Sequence, residues 1–154
     1  MPAELTDEDY RGLLALRTGL RRFLRWSEQQ ADAAGLTPAQ HQLLLAIRGH
    51  DEPHGPTVGD VAEYLLLRHH SVVGLVDRAE AAGLVVRRPD ASNPSAVRLA
   101  LTAEGAARLA ALSELHLEEL AHLSPTMQAL WEALEQAAHR DPDGSPHPAA
   151  PPRA

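Results

Sequence analysis

The sequence contains no cysteine and no lysine, and only 3% of its residues are aromatic. Without cysteine, disulfides, thiolate metal sites and thiol-based oxidation sensing are excluded. All 14 basic residues are arginine, which we attribute first to the codon bias of a GC-rich genome. No apolar run approaches the roughly 20 residues of a membrane span, and the acidic N-terminus lacks the apolar segment of a secretory signal. We therefore expect a cytoplasmic location and no membrane partner.

The apolar residues are mostly Leu, Ala and Val, and they make up most of the 44% hydrophobic content of the 154 residues. This composition favours a mainly helical chain with one domain and appendages. The sequence has no G-x-S-x-G, no H-E-x-x-H and no Gly-rich phosphate loop. Because these patterns carry common catalytic chemistries, we do not expect an enzyme.

Residues 57–105 contain the most informative pattern, two helical segments followed by two strand-like runs around a turn-rich loop. The second helical segment, at about 68–82, has one apolar face, and Gly83 follows where a helix would stop. That face consists of Val72, Leu75, Val76 and Ala79. Strand-like runs at 84–86 and 96–101 flank the sequence DASNPS. This order of elements predicts a winged helix-turn-helix.

Longer helical patterns lie on both sides of this region. One covers about 10–33, and a second begins after Thr37 and Pro38 and ends near Arg48. A helix is predicted from 103 to about 122, and Ser124 with Pro125 indicates the start of another. Residues 1–9 should be frayed, and the Pro-rich residues 140–154 should be disordered.

The run LVDRAEAAGLVVRRPD, followed by LTAEG, resembles the MarR family of bacterial transcription regulators. The resemblance extends over about residues 5–139. The fold class is therefore mainly α with a small β-hairpin wing (α+β), a winged helix-turn-helix with long N- and C-terminal dimerisation helices. We assign 1–36 to the first dimerisation helix, 37–102 to the DNA-binding domain, 103–139 to the C-terminal dimerisation helices and 140–154 to the tail.

The resemblance implies a homodimer that binds a pseudo-palindromic operator in double-stranded DNA and responds to a small-molecule effector. Repression is the commonest mode in the family, and the cysteine-based peroxide sensors of the family are excluded. The long apolar stripes of the terminal helices independently require a partner, for which a second copy is the simplest choice. A two-fold dimer would place its recognition helices about 34–36 Å apart, one turn of DNA.

The predicted DNA contacts lie at the start and end of the recognition helix and on the wing. They are Arg68, His69, His70, Ser71, Arg78, Arg88 and Arg98. The alternatives are an ordinary solvated helix start and, for Arg78, a salt bridge with Asp77 or another neighbour. Wings of the family commonly carry an acid followed by two basic residues, whereas the matching positions here are Asn93, Pro94 and Ser95. The usual minor-groove arginine is therefore absent from the tip.

The net charge of −7 is unusual for a DNA-binding protein. Residues 68–98 contain five arginines and three acids, so this segment carries +2 and the rest of the chain −9. A locally basic surface still attracts phosphate, while the acidic remainder opposes indiscriminate binding. The charge and the altered wing leave one alternative open, a degenerate winged helix that binds another protein.

Two further kinds of site are considered. The resemblance implies an effector pocket between the dimer helices and the DNA-binding part, where Arg17, Trp26 and His41 would supply an anion partner, a stacking face and a hydrogen bond. Their alternative role is that of ordinary surface or core-edge residues. A metal-responsive regulator is a second alternative. Its ligands would come from the helix predicted at 103–122, completed by a histidine of the second helix or of the loop that follows it. These residues are His116, Glu119 and His122, with His41, His50 or His54. Our prediction is no metal and no cofactor.

Overall fold

The computed structural model describes residues 5–139, which form five helices and a two-stranded hairpin. In chain order they are α1 (Asp7–Ala33), α2 (Pro38–Arg48), α3 (Val58–Leu65), α4 (His69–Ala81), β1 (Val85–Pro89), β2 (Val97–Leu101) and α5 (Ala103–Ala138). The mainly helical fold with a β-hairpin wing is confirmed. The predicted disorder of 140–154 lies outside the described residues.

Helix α1 begins earlier than its apolar pattern indicated. The Thr6 hydroxyl accepts a hydrogen bond from the Asp9 backbone N–H (3.3 Å), and the Thr6 backbone N–H donates to the Asp9 carboxylate (2.8 Å). This reciprocal cap satisfies N–H groups that a helix start leaves unpaired. Residues 7–9 are therefore helical, and the prediction that they fray was wrong.

Reciprocal capping hydrogen bonds set the starts of α2 and α3. Thr37 and Gln40 form a capping box before α2, and Thr57 and Asp60 form another before α3. Helix α3 ends at Leu66, which adopts the left-handed conformation (φ 54°, ψ 40°). Both helix starts are thus set by local side-chain hydrogen bonds.

Helix α4 and strand β2 lie within one residue of their predicted bounds, whereas β1 extends three residues beyond its predicted end at 86. The apolar face of α4 is buried as predicted, and Gly83 ends the helix with φ +74°, a conformation that glycine adopts without a Cβ penalty. Strands β1 and β2 pair antiparallel, with Val85 opposite Leu101 and Arg88 opposite Arg98.

Helix α5 runs unbroken through Pro125, so the prediction of two helices with a new start at Ser124 was wrong. Proline inside a helix lacks an N–H donor and costs roughly 3 kcal/mol. The apolar positions Leu123, Met127 and Leu130 nevertheless keep helical spacing across Pro125, and all are half-buried. The continuous apolar face offsets the local cost of the proline.

The described chain divides into two compact units. The larger unit, Trp26–Leu117, contains α2, α3, α4, the hairpin and the adjoining ends of α1 and α5, and therefore includes all of the predicted DNA-binding domain. Its core is formed by buried apolar residues from each of these elements. They include Leu36, Leu43, Leu44, Val61, Val72, Val76, Leu84, Leu99 and Leu112.

The smaller unit contains the start of α1 and the end of α5. Gly12 lies against Leu134 and Gly19 against Met127, so these two helical segments run antiparallel. Between them a groove of about 500 Å³ is lined largely by apolar side chains such as Phe23. Among residues 5–139, no helix combines the length and apolar character needed to cross a membrane.

Candidate nucleic-acid interface

The outer face of α4 carries the residues predicted to contact DNA. Burial of the opposite face leaves His69 and His70 exposed and Ser71 half-buried. Arg68 precedes the helix and makes no side-chain capping bond, while its carbonyl accepts from the N–H groups of Ser71 (3.0 Å) and Val72 (3.2 Å). Since the first N–H groups of a helix have no acceptor within it, this end of α4 attracts anions.

Two further residues share this outer face, and neither was among the DNA contacts predicted from the sequence. Val73 and Gly74 are half-buried and lie three and four residues after His70, on the same side of the helix. Helical spacing from His70 would have identified them. An apolar side chain such as Val73 suits contact with a thymine methyl group.

Arg78 is exposed near the end of α4, and among residues 5–139 it forms no ion pair. The guanidinium lies along the helix, with one nitrogen 3.3 Å from the position that a Cβ on Gly74 would take. The considered salt bridge between Arg78 and Asp77 does not form in this structure, because Asp77 pairs with Arg87 of β1. Arg78 thus keeps its charge unpaired at the surface.

Arg87 neutralises the two acids of α4. One guanidinium nitrogen donates to Asp77 and the other to Glu80, and the Arg87 backbone N–H also donates to Glu80 (3.3 Å). These contacts attach β1 to α4. They also neutralise two carboxylates that would otherwise repel phosphate beside the exposed face of α4.

The two wing arginines predicted to contact DNA differ in exposure and in their ion-pair partners. Arg88 is exposed, and within residues 5–139 it has no ion-pair partner. Arg98, opposite it on β2, has a side chain only 20% exposed and donates to Asp90 (2.8 Å) and to the Gly55 carbonyl (3.2 Å). A DNA contact by Arg98 stays a prediction, and it would require this guanidinium to leave its partners.

Asp90 organises the base of the wing. Its carboxylate accepts from the backbone N–H of Ser92 (2.9 Å), from Arg98 and from the Ser92 hydroxyl (2.9 Å), and these hydrogen bonds hold its pKa well below the ordinary value. Asn93 makes a similar turn with Ser95. Residues 91–95 are all exposed and none is charged, so the tip offers polar groups but no cation.

A second cluster, which we call the imidazole cluster, brings together Trp26, His41, His116 and Ser27 within the larger unit. The His116 ring lies 5.0 Å from Trp26 and 4.9 Å from His41, measured between ring centroids. His41 is buried, and desolvation together with the neighbouring His116 lowers its pKa. Two of the three predicted effector residues therefore meet here. The third, Arg17, is exposed on the part of α1 that belongs to the smaller unit.

The hydrogen bonds of His116 define its tautomer. Nδ1 lies 2.7 Å from the Leu112 carbonyl, which can only accept, so Nδ1 carries the proton. In the neutral ring, Nε2 then accepts from the Ser27 hydroxyl at 2.7 Å. His116 is thus engaged on both nitrogens.

Residues 5–139 contain no group of three or more His, Cys, Asp or Glu side chains placed to hold a metal ion, so this part of the chain gives the metal-responsive alternative no support.

Comparison with known proteins relates this fold to one family. The model of the MarR family matches residues 34–93. The transcriptional activatory protein BadR of Rhodopseudomonas palustris is 32% identical over 74 residues, which cover 48% of this chain and 42% of BadR. The matched segment therefore spans less than half of that relative.

Solved structures extend the similarity over most of the chain. The MarR family transcription regulator SP03579 matches with a TM-score of 0.70 and 21% identity, covering 85% of this chain and 87% of that protein. The transcriptional repressor CouR, solved on a 23-mer DNA duplex, matches with a TM-score of 0.63 and 28% identity over 88% and 99% of the two chains. CouR from Rhodococcus jostii RHA1 has also been solved with p-coumaroyl-CoA (TM-score 0.65, 24% identity, 88% and 96% coverage). The chain thus has the winged helix-turn-helix fold of these relatives, and its residues 34–93 are similar to the MarR family of transcription regulators.

Proposed function

We propose that the chain is a homodimeric, cytoplasmic repressor that binds a pseudo-palindromic DNA operator and releases it when a small molecule binds. The observation that carries this proposal is the outer face of α4, where His69, His70 and the unpaired Arg78 are exposed. Arg87 neutralises the acids on the same helix. The DNA-bound structure of CouR, 28% identical, supports the same use of this fold.

The smaller unit supports dimerisation. Two antiparallel helical segments cannot enclose a core, and large apolar side chains remain exposed on them, among them Leu20 (48%), Leu120 (46%) and Trp131 (56%). Apolar surface gains about 25 cal/mol per Å² when it leaves water. A second copy would cover these side chains and supply the second recognition helix for a palindromic site.

DNA binding is tested by fluorescence anisotropy with the duplex that flanks the chain's own gene, beside a scrambled duplex, at several salt concentrations. We expect a preference of about 10³ or more for the native duplex and a steep loss of affinity with salt. Equal, weak binding to both duplexes would refute the proposal. The exposed helix face would then serve a protein partner, the alternative that the acidic net charge favours.

For the effector, we propose the imidazole cluster as part of the site, because it joins an aromatic ring to buried and half-buried imidazoles. The p-coumaroyl-CoA complex of CouR supports a small-molecule ligand for this fold. A Trp131→Phe variant leaves Trp26 as the sole tryptophan. Titration of this variant with p-coumaroyl-CoA should change its emission, whereas a variant that also carries His41→Ala should respond only at higher ligand concentration.

The sign of regulation is tested in a reporter strain. A deletion of the gene should raise transcription from the bound promoter if the chain represses, and lower it if the chain activates, as the name of BadR states for that relative.

A further inference from the structure

A groove lies between the hairpin and the loop 49–56, away from the imidazole cluster. Its volume is about 590 Å³, and all the residues that line it belong to the larger unit. Small-molecule sites in proteins commonly measure about 300–1,000 Å³. The groove is therefore large enough for a compact organic ligand.

The loop wall of this groove is pinned to strand β2. The Leu99 backbone N–H donates to the Pro56 carbonyl at 2.9 Å. Gly55 has φ +82°, and a Cβ there would lie 2.2 Å from the Leu99 carbonyl oxygen, so only glycine permits this approach. Arg98 adds its hydrogen bond to the Gly55 carbonyl. The groove is consequently preformed, which lowers the entropic cost of binding.

Cationic side chains face the groove with few partners. Arg48 and Arg88 both line it, and neither forms an ion pair with any residue of 5–139. Arg98 pairs with two carboxylates, which differ in their distance from the guanidinium and in their exposure. Asp90 is 2.8 Å away with a side chain 4% exposed, whereas Glu52 is 3.6 Å away and 63% exposed. An exposed ion pair of this kind contributes little to stability, so another carboxylate can replace Glu52.

One buried nitrogen of His50, in the same wall of the groove, lacks a hydrogen-bond partner among the described residues. His50 lines the groove, and its Nδ1 lies 2.8 Å from the Tyr64 hydroxyl. Its Nε2 is buried without a hydrogen-bond partner among the described residues. A buried polar group without a hydrogen bond is unfavourable, so one hydrogen bond in this wall of the groove is left unmade among the described residues.

We propose that this groove binds a small organic anion, a carboxylate on a hydrophobic body. The carboxylate takes the place of Glu52 on Arg98 and is also attracted by Arg48 and Arg88. The hydrophobic body lies against the apolar part of the lining, which includes Ile47, Leu101 and Ala106. The site itself is independent of DNA binding. Its consequence for regulation rests on the proposed function: because Arg98 holds Asp90 at the base of the wing, occupancy of the groove would alter the wing.

The test is equilibrium dialysis of the full-length chain without DNA, using 2-naphthoate as the probe and the neutral 2-naphthamide for comparison. We expect naphthoate to bind and the amide to bind at least about fivefold more weakly. Arg48→Gln should weaken naphthoate binding by about threefold to fivefold, whereas Glu52→Gln should strengthen it because the competing carboxylate is gone. Arg108→Gln removes the same charge from an arginine outside the groove that pairs with Glu104, and it should leave naphthoate binding unchanged.

Equal binding of the acid and the amide would overturn the proposal. So would equal effects of Arg48→Gln and Arg108→Gln, or no change on Glu52→Gln, since each result would place the probe elsewhere, for example at the imidazole cluster. The DNA anisotropy experiment tests the repressor function independently of ligand binding in the groove. A chain that binds naphthoate as expected but does not distinguish the duplexes would refute the repressor function and leave the groove assignment in place.

Discussion

Leu66 combines two features that are unfavourable for a leucine. It adopts the left-handed conformation with φ 54°, and it is 91% exposed. The left-handed conformation costs an L-residue roughly 1–2 kcal/mol, and the exposed side chain recovers almost nothing by burial. This residue ends α3 and precedes the recognition helix, so the strain lies within the turn of the helix-turn-helix.

We predict that Leu66→Gly stabilises the chain by about 0.5–1 kcal/mol, because glycine adopts this conformation without a Cβ clash. Urea unfolding followed by circular dichroism measures the change. Leu117→Gly is the matched control, since Leu117 is 68% exposed but lies inside α5. There the same replacement should destabilise by roughly 1 kcal/mol. Destabilisation by Leu66→Gly would show that the side chain makes a contact that outweighs the strain.

His41 predicts a pH dependence of stability. Desolvation, and secondly the neighbouring His116, lowers its pKa in the folded chain below the ordinary histidine value of about 6.5. The unfolded chain therefore binds a proton more readily than the folded chain. Stability contributed by the neutral ring is present above about pH 6.5 and declines as the pH falls below it, with a slope of at most about 1.4 kcal/mol per pH unit.

Urea unfolding at pH 7.5, 6.5 and 5.5 measures this decline. His41→Gln should flatten it, whereas His122→Gln, at an exposed position of α5, should not. A decline of equal steepness in the parent and in the His41→Gln variant would assign the pH dependence to other groups.

At the level of the elements, two wing arginines that were both predicted to contact DNA, Arg88 and Arg98, have different surroundings. Arg88→Ala removes an exposed cation and should reduce the slope of log affinity against log salt by about 1 on every DNA sequence. Its thermal midpoint should stay close to that of the parent. Anisotropy titrations from low to moderate salt provide the slope, and an unchanged slope would remove Arg88 from the phosphate contacts.

Arg98→Ala should change the thermal midpoint and leave the salt slope of DNA binding close to that of the parent. It leaves the buried Asp90 carboxylate without its guanidinium and frees the Gly55 carbonyl, so the thermal midpoint should fall. Loss of a buried partner costs more than loss of an exposed charge. A variant with an unchanged midpoint and a reduced salt slope would instead show that Arg98 reaches DNA.

Local chemistry explains why most elements were predictable. The capping boxes at Thr37 and Thr57 and the stop at Gly83 depend on neighbours within a few residues, so the sequence displays them directly. Pro125 shows the opposite case, because a strong local stop signal is overruled by packing of the apolar face on both sides of it. The pairing of Arg87 with Asp77, ten residues earlier, depends on how β1 returns beside α4.

Only part of the candidate site was predictable, because some of its contacts join residues far apart in the sequence. Helical spacing identified His69 and His70 on the exposed face of α4, whereas the confinement of Arg98 depends on the loop carbonyl of Gly55, 43 residues away in the chain. Likewise, His116 meets Ser27 from the far end of the sequence. Such contacts are properties of the tertiary fold and have no local sequence signal.

For the whole molecule, the exposed apolar side chains of the smaller unit predict that one substitution will separate the dimer. Leu120→Glu places a charge among surfaces that should be buried between two copies, and we expect the dimer dissociation constant to rise by at least about 100-fold. Analytical ultracentrifugation over a concentration series measures it. Leu66→Glu is the control, since Leu66 is more exposed but lies in the larger unit. A dimer that withstands Leu120→Glu would place the interface on another surface.

The attachment of the wing also constrains how such a protein can diversify. A side chain at Gly55 would strike the Leu99 carbonyl, and one at Gly105 would lie 2.1 Å from the Leu84 carbonyl, so the base of the hairpin tolerates no enlargement at either point. Residues 91–95, in contrast, are all exposed between the anchored strands. In a library randomised over the hairpin and these two glycines and selected on altered operators, the surviving changes within the wing should collect in this five-residue tip while both glycines persist. Within the wing, a change of DNA preference is thereby limited to a segment whose variation leaves the fold intact.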